Sequence, residues 1–271
     1  MKVAVVAIAK NEEKYIKEWI AYHLSIGFDS IRVYCNDCED NTENFVKHAG
    51  MKFAVEAIHW PSKDLKSPQR SAYNHSLKDF SDFDWVCFID IDEFIVPYDY
   101  GSIKDYLSLA GEDISAIGIN WRIFGSSQIT DANYRSVIKT FRYASLPNFN
   151  FNNHIKTIVR PNDVEEMFIH HAAVKRGLMV NSAFEPLVFM EPGRMELPVF
   201  NGIQINHYQS KTREEFFKRR SQGNANFNPT HSHHERVADE KKFKYIDKNN
   251  VIDENIDKFV DDYDRLLDEI G

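Results

Sequence analysis

Seven consecutive apolar residues, Val3 to Ala9, open the chain and constrain its fold more than any other segment. A run this short, without polar alternation, predicts a strand buried on both faces, as in a parallel sheet. From Glu12 to Ile26, apolar positions recur at helical spacing through Tyr15, Ile16, Trp19, Ile20, His23 and Leu24, and Gly27 stops the pattern. A second strand over Ile31 to Tyr34, a helix over Asn41 to Ala49 ending near Gly50, and a third strand over Phe53 to Ile58 complete a β-α-β-α-β order. That order predicts an α/β fold with a right-handed, mostly parallel, Rossmann-like sheet flanked by helices.

A helix from Pro68 through Leu77 leads to the apolar run Trp85 to Ile89, which ends in Asp90-Ile91-Asp92-Glu93. Acids at the C-terminal end of a buried strand face the ligand side of such a sheet. In an extended chain Asp90 and Asp92 would project to one side. Two such carboxylates suit Mn²⁺ or Mg²⁺, hard cations that share their shell with substrate phosphates. After about residue 96 the rhythm changes and an acceptor-side subregion is expected. It should hold a short helix over Ile103 to Leu109 and strands over Ala116 to Phe124, Val137 to Tyr143, Ile155 to Arg160 and Gly202 to His207. Phe184 to Phe200, with three prolines, reads as a long loop. Thr212 to Arg220 and Asn255 to Ile270 read as helices around a His-rich segment containing Pro229. The expected organisation is a catalytic domain over 1–210 and a C-terminal helical extension over 211–271.

Composition narrows the function. With 43% hydrophobic residues the chain can supply a sizeable core, and a net charge of −8, from 41 acids against 33 bases, argues against binding long nucleic acids. Three cysteines describe no disulfide framework and fit a reducing compartment, so the expectation is a cytoplasmic protein, at most peripheral to the cytoplasmic face of a membrane. Cys35-Asn36-Asp37-Cys38 could pair with His231-Ser232-His233-His234 as a zinc site, but no second C-x-x-C supports it. On a strand, His170 and His171 should point to opposite faces.

Several motifs in order resemble GT-A glycosyltransferases, specifically the family-2-like transferases and the related family 92 galactosyltransferase-like group. They are Ala9-Lys10-Asn11-Glu12 with Tyr15, Glu18, Trp19 and His23; the turn Asn36 to Thr42; Gln69, Tyr73 and Asn74; Asp90-Ile91-Asp92-Glu93-Phe94; Trp121 with Phe124-Gly125; Lys156 with Arg160-Pro161; and Asn206-His207-Tyr208 with Lys211 and Glu214-Glu215-Phe216. The set covers about the first 220 residues. The resemblance implies that Ala9, Asn11, Glu12 and Asn36 line a uridine pocket, with Gln69 and Asp90 also on the donor side. Asn36 stands where family-2 transferases usually carry Asp. It implies that Asp92 is the principal metal ligand, supported by Asp90, and that His207 supplies a ligand from the far side.

Lys156 and Lys211, ahead of Arg219 and Arg220, are candidates to hold phosphates, because a diphosphate leaving group needs compensating positive charge. The resemblance further implies inversion, so one carboxylate must take the acceptor hydroxyl's proton. Asp131, Glu185 and Glu93 are the candidates, Asp131 first. The expected activity is a metal-dependent transfer of a sugar from a nucleotide donor, UDP-galactose being the first to try, to a glycan or glycolipid acceptor in surface polysaccharide or lipopolysaccharide synthesis. The alternatives are a sugar nucleotidyltransferase, disfavoured because Ala9-Lys10-Asn11-Glu12 is not a Gly-rich phosphate loop, and a catalytically silent sugar- or nucleotide-binding module.

Overall fold

Nine strands make the central sheet of the computed structural model, which describes residues 1–221 and 240–271. Pro229 and the cluster His231 to His234 lie outside the described residues. The first half alternates as expected: β1 (Val3–Ala9), α1 (Ile16–Ser25), β2 (Ser30–Cys35), α2 (Thr42–Ala49), β3 (Val55–His59), α3 (Pro68–Asp79) and β4 (Trp85–Phe88). β3, β2, β1 and β4 pair in that order and all run parallel. The sheet continues through the strand Ile155–Val159, β6 (Ile114–Ile123), the strand Gln204–His207 and β5 (Glu93–Val96), with Leu178–Val180 added beside the start of β6. Ile155–Val159 runs antiparallel to both its neighbours, and β5 antiparallel to Gln204–His207, so the sheet is mixed but mostly parallel.

Period-two alternation along β1 divides two cores. Val3, Val5, Ala7 and Ala9 pack with Trp19 and Ile20 of α1 and Val46 and Ala49 of α2, whereas Ala4, Val6 and Ile8 pack with Ala72, Tyr73 and Leu77 of α3. The terminal helix Val260–Ile270 lies on α1, burying Tyr263, Leu266 and Ile270 in the first core, and Phe216, Phe243 and Ile246 join the same core. The described residues after 210 thus share their apolar interior with the sheet. Gly27, at φ +102°, ends α1 where a side chain would press on Ser102 at 3.3 Å.

Three expectations change. The first helix begins at Ile16, not Glu12, because Asn11 takes a left-handed conformation (φ 56°) and the Glu12 carbonyl closes a turn onto Tyr15 and Ile16. Val137–Tyr143, expected as a strand, begins as the single helical turn Val137–Thr140. Its free amides are capped from both sides: Ser136 Oγ accepts from Lys139 N, and the buried Glu18 carboxylate accepts from Val137 N and Ile138 N. The loop Phe184 to Phe200 also contains a small hairpin, Phe189–Glu191 with Arg194–Met195.

Candidate functional site

The strand registers bring the C-terminal ends of β1, β2, β4, β6 and Gln204–His207, and the start of Ile155–Val159, to one edge of the sheet. Backbone strain gathers there too. Asn11, Asp37, Ser127, Gln128 and Lys211 all have positive φ and all follow strands at this edge. Non-glycine residues are held that way only where surrounding structure over-determines them, which is common at binding sites.

Asp90 to Asp92 form a turn between β4 and β5, not the extended segment expected. Glu93 N donates to the Asp90 carbonyl (3.1 Å), Asp90 N donates to Glu93 Oε2 (2.9 Å), and Trp19 Nε1 clamps the Glu93 carbonyl at 3.0 Å. The two aspartates therefore engage different partners. Asp90 Oδ1 receives Gln69 Nε2 (2.6 Å) and lies 2.9 Å from Lys156 Nζ, whose side chain is wholly buried. Burial alone would raise the Asp90 carboxyl, but the Lys156 ammonium outweighs it and holds it well below the usual carboxylate range. Glu93 Oε2 is 3.8 Å from the same ammonium, and burial pushes Glu93 up to about 7.

Asp92 has a second set of partners. Its side chain is 1% exposed; Oδ2 accepts from Arg219 Nη1 and lies 3.3 Å from His207 Nε2, while Oδ1 is buried without a hydrogen-bond partner. Burial depresses His207 to about 4, so at neutral pH its imidazole is uncharged and carries a lone pair. Its ring packs 4.2 Å from that of Trp121, which also stacks on His154 and meets His170 edge-on. Of the paired histidines, His170 thus faces the site, whereas His171 stacks on Phe168.

Beside this cluster a cavity of about 330 Å³ opens between the turn after β1, the loop after β2, residue 132 and the helix Arg213–Ser221; Asn11, Glu12, Lys211, Lys218 and Arg219 help line it. Burial raises the Glu12 carboxyl, opposed by Arg219 and Lys211, and lowers the Lys211 amine, opposed by Glu12. Glu215 ties the helix down: Oε1 accepts from Lys14 Nζ (2.5 Å), Tyr15 OH (2.6 Å) and Tyr134 OH (2.8 Å), and Oε2 from Thr212 Oγ1 (2.9 Å).

The remaining expected residues divide. Ala9, Asn11, Glu12 and Asn36 sit together at the β1 and β2 ends, but Asn36 spends its amide on the Trp60 carbonyl (2.9 Å) and Asn11 accepts from Glu39 N (2.8 Å). Asp131 is exposed, next to the cavity-lining Ala132. Glu185 is exposed beside Asn181, just past the strand Leu178–Val180 that pairs with the first half of β6, so the structure does not bring it to the Asp90–Asp92 edge. Glu93 is wholly buried behind Lys156. Among the described residues no group of three or more His, Cys, Asp or Glu is arranged to hold a metal; Asp92 and His207 converge, and Asp90 is taken by Lys156 and Gln69. Cys35, Cys38 and Cys87 are free thiols, Cys38 donating to the Ala9 carbonyl at 3.4 Å. Sequence reasoning ranked Arg219 behind Lys156 and Lys211 and assigned no role to Glu215 or His154; Arg219 meets Asp92, Glu215 meets Lys14 and His154 meets Trp121 only in the folded chain, so no local pattern marks them.

The sequence model of glycosyltransferase family 92 matches residues 3–249. A family 92 protein of Ricinus communis is 22% identical over 230 residues, 80% of this chain and 38% of that protein; one of Oryza sativa subsp. japonica is 27% identical over 184 residues, 65% of this chain and 30% of that protein. The chain thus spans about a third of the length of these relatives. Similar solved structures include TarS 1–349 of S. aureus (TM-score 0.40, 16% identity, 59% of this chain and 47% of that one). Another is glucosyl-3-phosphoglycerate synthase of Mycobacterium tuberculosis in complex with Mn²⁺, UDP and phosphoglyceric acid (TM-score 0.36, 16% identity, 60% and 57%). Among the described residues no helix is long and apolar enough to cross a membrane.

Proposed function

We propose, since the chain belongs to glycosyltransferase family 92, that it is an inverting transferase moving a sugar from a nucleoside-diphosphate donor, UDP-galactose first, to a hydroxyl of an acceptor glycan. The observation that carries this reading is the Asp92 carboxylate: almost fully buried, with Oδ1 unpartnered and Oδ2 facing an uncharged imidazole and a guanidinium beside a cavity. A buried carboxylate oxygen without a partner costs free energy in the protein alone, and that cost is removed when a ligand supplies the missing charge.

Oxygen from Asp92 and nitrogen from His207 form a donor set that suits Mn²⁺, and Mg²⁺ less well. Such an ion, held by these two residues, would neutralise the charge that develops on the departing diphosphate. Lys211 and Arg219 line the cavity and would contact phosphate oxygens, whereas Lys156 is turned inward to Asp90 and Glu93. Asp90, with Gln69 and Lys156, fixes the turn from which Asp92 projects. For the base, Asp131 is preferred over Glu93, which has no exposed surface, and over Glu185, which lies away from the sheet edge. Its loop borders the cavity, so its carboxylate is reachable by an acceptor hydroxyl. Three free thiols, Cys35, Cys38 and Cys87, are compatible with a reducing compartment, and the acceptor proposed is a growing surface glycan.

The test is a thermal-shift and calorimetric titration with UDP and UDP-galactose, with and without Mn²⁺. UDP should raise the midpoint only when the cation is present, and Asp92→Asn should keep its fold while losing transfer. Tight UDP binding in excess EDTA, or near-normal transfer by Asp92→Asn, would refute the reading.

A further inference from the structure

Arg219 and Asp92 differ sharply in what they can do. The Asp92 side chain is 1% exposed and fixed in its turn, where its carbonyl accepts from Tyr208 N at 2.9 Å. The Arg219 side chain is 40% exposed, long, and borders the cavity as well as the carboxylate. Its helix is fastened near the other end, because Glu215 holds Lys14, Tyr15, Tyr134 and Thr212 at once. Arg219 can therefore leave Asp92 by changing rotamer while the helix stays in place. Its guanidinium donates to Asp92 Oδ2, the oxygen that also lies 3.3 Å from His207 Nε2, so one positive charge already stands where these two side chains converge.

We propose that Arg219 is a resident counter-cation for Asp92: it competes with a divalent ion for that carboxylate and moves to the donor's diphosphate when ion and donor enter together. The proposal rests on the metal-dependent reading above. A divalent ion seated between Asp92 Oδ2 and His207 Nε2 would stand against the guanidinium already on that oxygen, and like charges at such distance repel strongly away from bulk water. A diphosphate offers the guanidinium a bidentate acceptor at least as good as the carboxylate it gives up. The cavity places both destinations within reach of one side chain. Cation and donor then help each other bind, a coupling that must be reciprocal. Without nucleotide, Arg219 keeps the ion out and keeps Asp92 compensated.

The experiment measures Mn²⁺ binding from the electron paramagnetic resonance signal of the free ion, and UDP binding by calorimetry, on the whole chain carrying Arg219, Arg219→Gln or Arg219→Lys. Arg219→Gln should bind Mn²⁺ about tenfold more tightly without nucleotide, the scale of one charge-assisted contact removed, and UDP about tenfold more weakly at saturating Mn²⁺. Arg219→Lys, which keeps the charge and loses the fork, should bind Mn²⁺ as the parent does and UDP with intermediate affinity. A merely structural role would weaken both ligands or neither. Mn²⁺ affinity that does not rise in Arg219→Gln, while the parent binds Mn²⁺ when UDP is present, overturns this inference alone. A parent protein that binds no Mn²⁺ even with saturating UDP overturns the metal-dependent reading and this inference with it.

Discussion

Lys156→Met is the substitution whose cost follows most directly from the site. The Lys156 side chain has no exposed surface, and its ammonium is 2.9 Å from Asp90 Oδ1 and 3.8 Å from Glu93 Oε2. At an effective dielectric constant near 20, unit charges 2.9 Å apart attract by about 5.7 kcal/mol. Desolvating the ammonium consumes much of that, so the intact pair contributes little net stability, but removing one partner leaves the other buried and costs about 3–5 kcal/mol. Asp90 retains 27% exposure of its side chain, which solvates the stranded carboxylate and places the expected loss near the lower end, about 3 kcal/mol. For a chain of this size that corresponds to a midpoint roughly 6–12 °C lower.

Asp90→Asn should cost less than half as much, because Glu93, which burial pushes up to about 7, can ionise and take over the ammonium. The sign of the pH dependence follows. In Lys156→Met the buried carboxyls lose their cation, so their folded pKa values rise above the unfolded ones. The folded state then holds protons more tightly, and stability is highest at low pH and lost as pH rises from about 4 through 7 and beyond, since Lys156 no longer lowers Glu93. Urea unfolding at pH 5 and pH 7.5 reads both effects. A Lys156→Met loss below about 1 kcal/mol at pH 7.5, or an Asp90→Asn loss exceeding it, would show that Lys156 does not carry the charge balance described here.

Three further outcomes are expected. His207→Ala should weaken Mn²⁺ affinity and transfer together; a titration of activity against Mn²⁺ that matches the parent returns His207 to a packing role against Trp121. Asp131→Asn should leave UDP affinity unchanged and slow transfer about 10²-fold or more, the usual scale for loss of a general base, whereas Glu185→Gln should transfer normally; the opposite pattern in single-turnover assays would move the base to the Pro-rich loop. Gly125→Ala should destabilise by about 1–3 kcal/mol, as overpacked positions do, because an added Cβ would meet the Lys248 carbonyl oxygen at 2.4 Å and Asn249 Oδ1 at 2.5 Å. Urea unfolding checks it, and a parent-like midpoint would mean the 247–250 turn yields freely.

The first half of the fold was legible because its strands are buried on both faces, so their composition alone announces them: Val3–Ala9 and Trp85–Phe88 contain no charged residue. Boundaries failed where a side chain from elsewhere overrides the local pattern. Val-Ile-Lys-Thr-Phe-Arg-Tyr reads as a strand on β-branched content, yet Glu18, 119 residues before Val137, accepts its first free amides and folds one helical turn. The Asp90–Asp92 pair shows the same limit in the site. Placing both on one side assumed extended chain, and hydrogen bonds among Asp90 and Glu93 make it a turn in which the two take different partners.

Exposure orders the basic residues differently from sequence. Sequence gives a lysine its charge but not its exposure, and exposure decides whether that charge can serve a ligand. Lys156 is fully buried against two carboxylates, so its ammonium is committed before any phosphate arrives. Lys211 is nearly as buried, but the opposing Glu12 does not offset the burial that lowers its amine, and it lines the cavity. Arg219 is the most exposed of the three and touches the most buried aspartate of the site, a combination that helical periodicity does not encode. A charge tied to buried acids stabilises the apo arrangement; one bridging a buried acid and an open cavity can respond to what enters. Only the second kind can couple ligand arrival to the state of Asp92, which is why the proposed function gives the phosphate-holding role to Arg219 and Lys211 and leaves Lys156 with the turn.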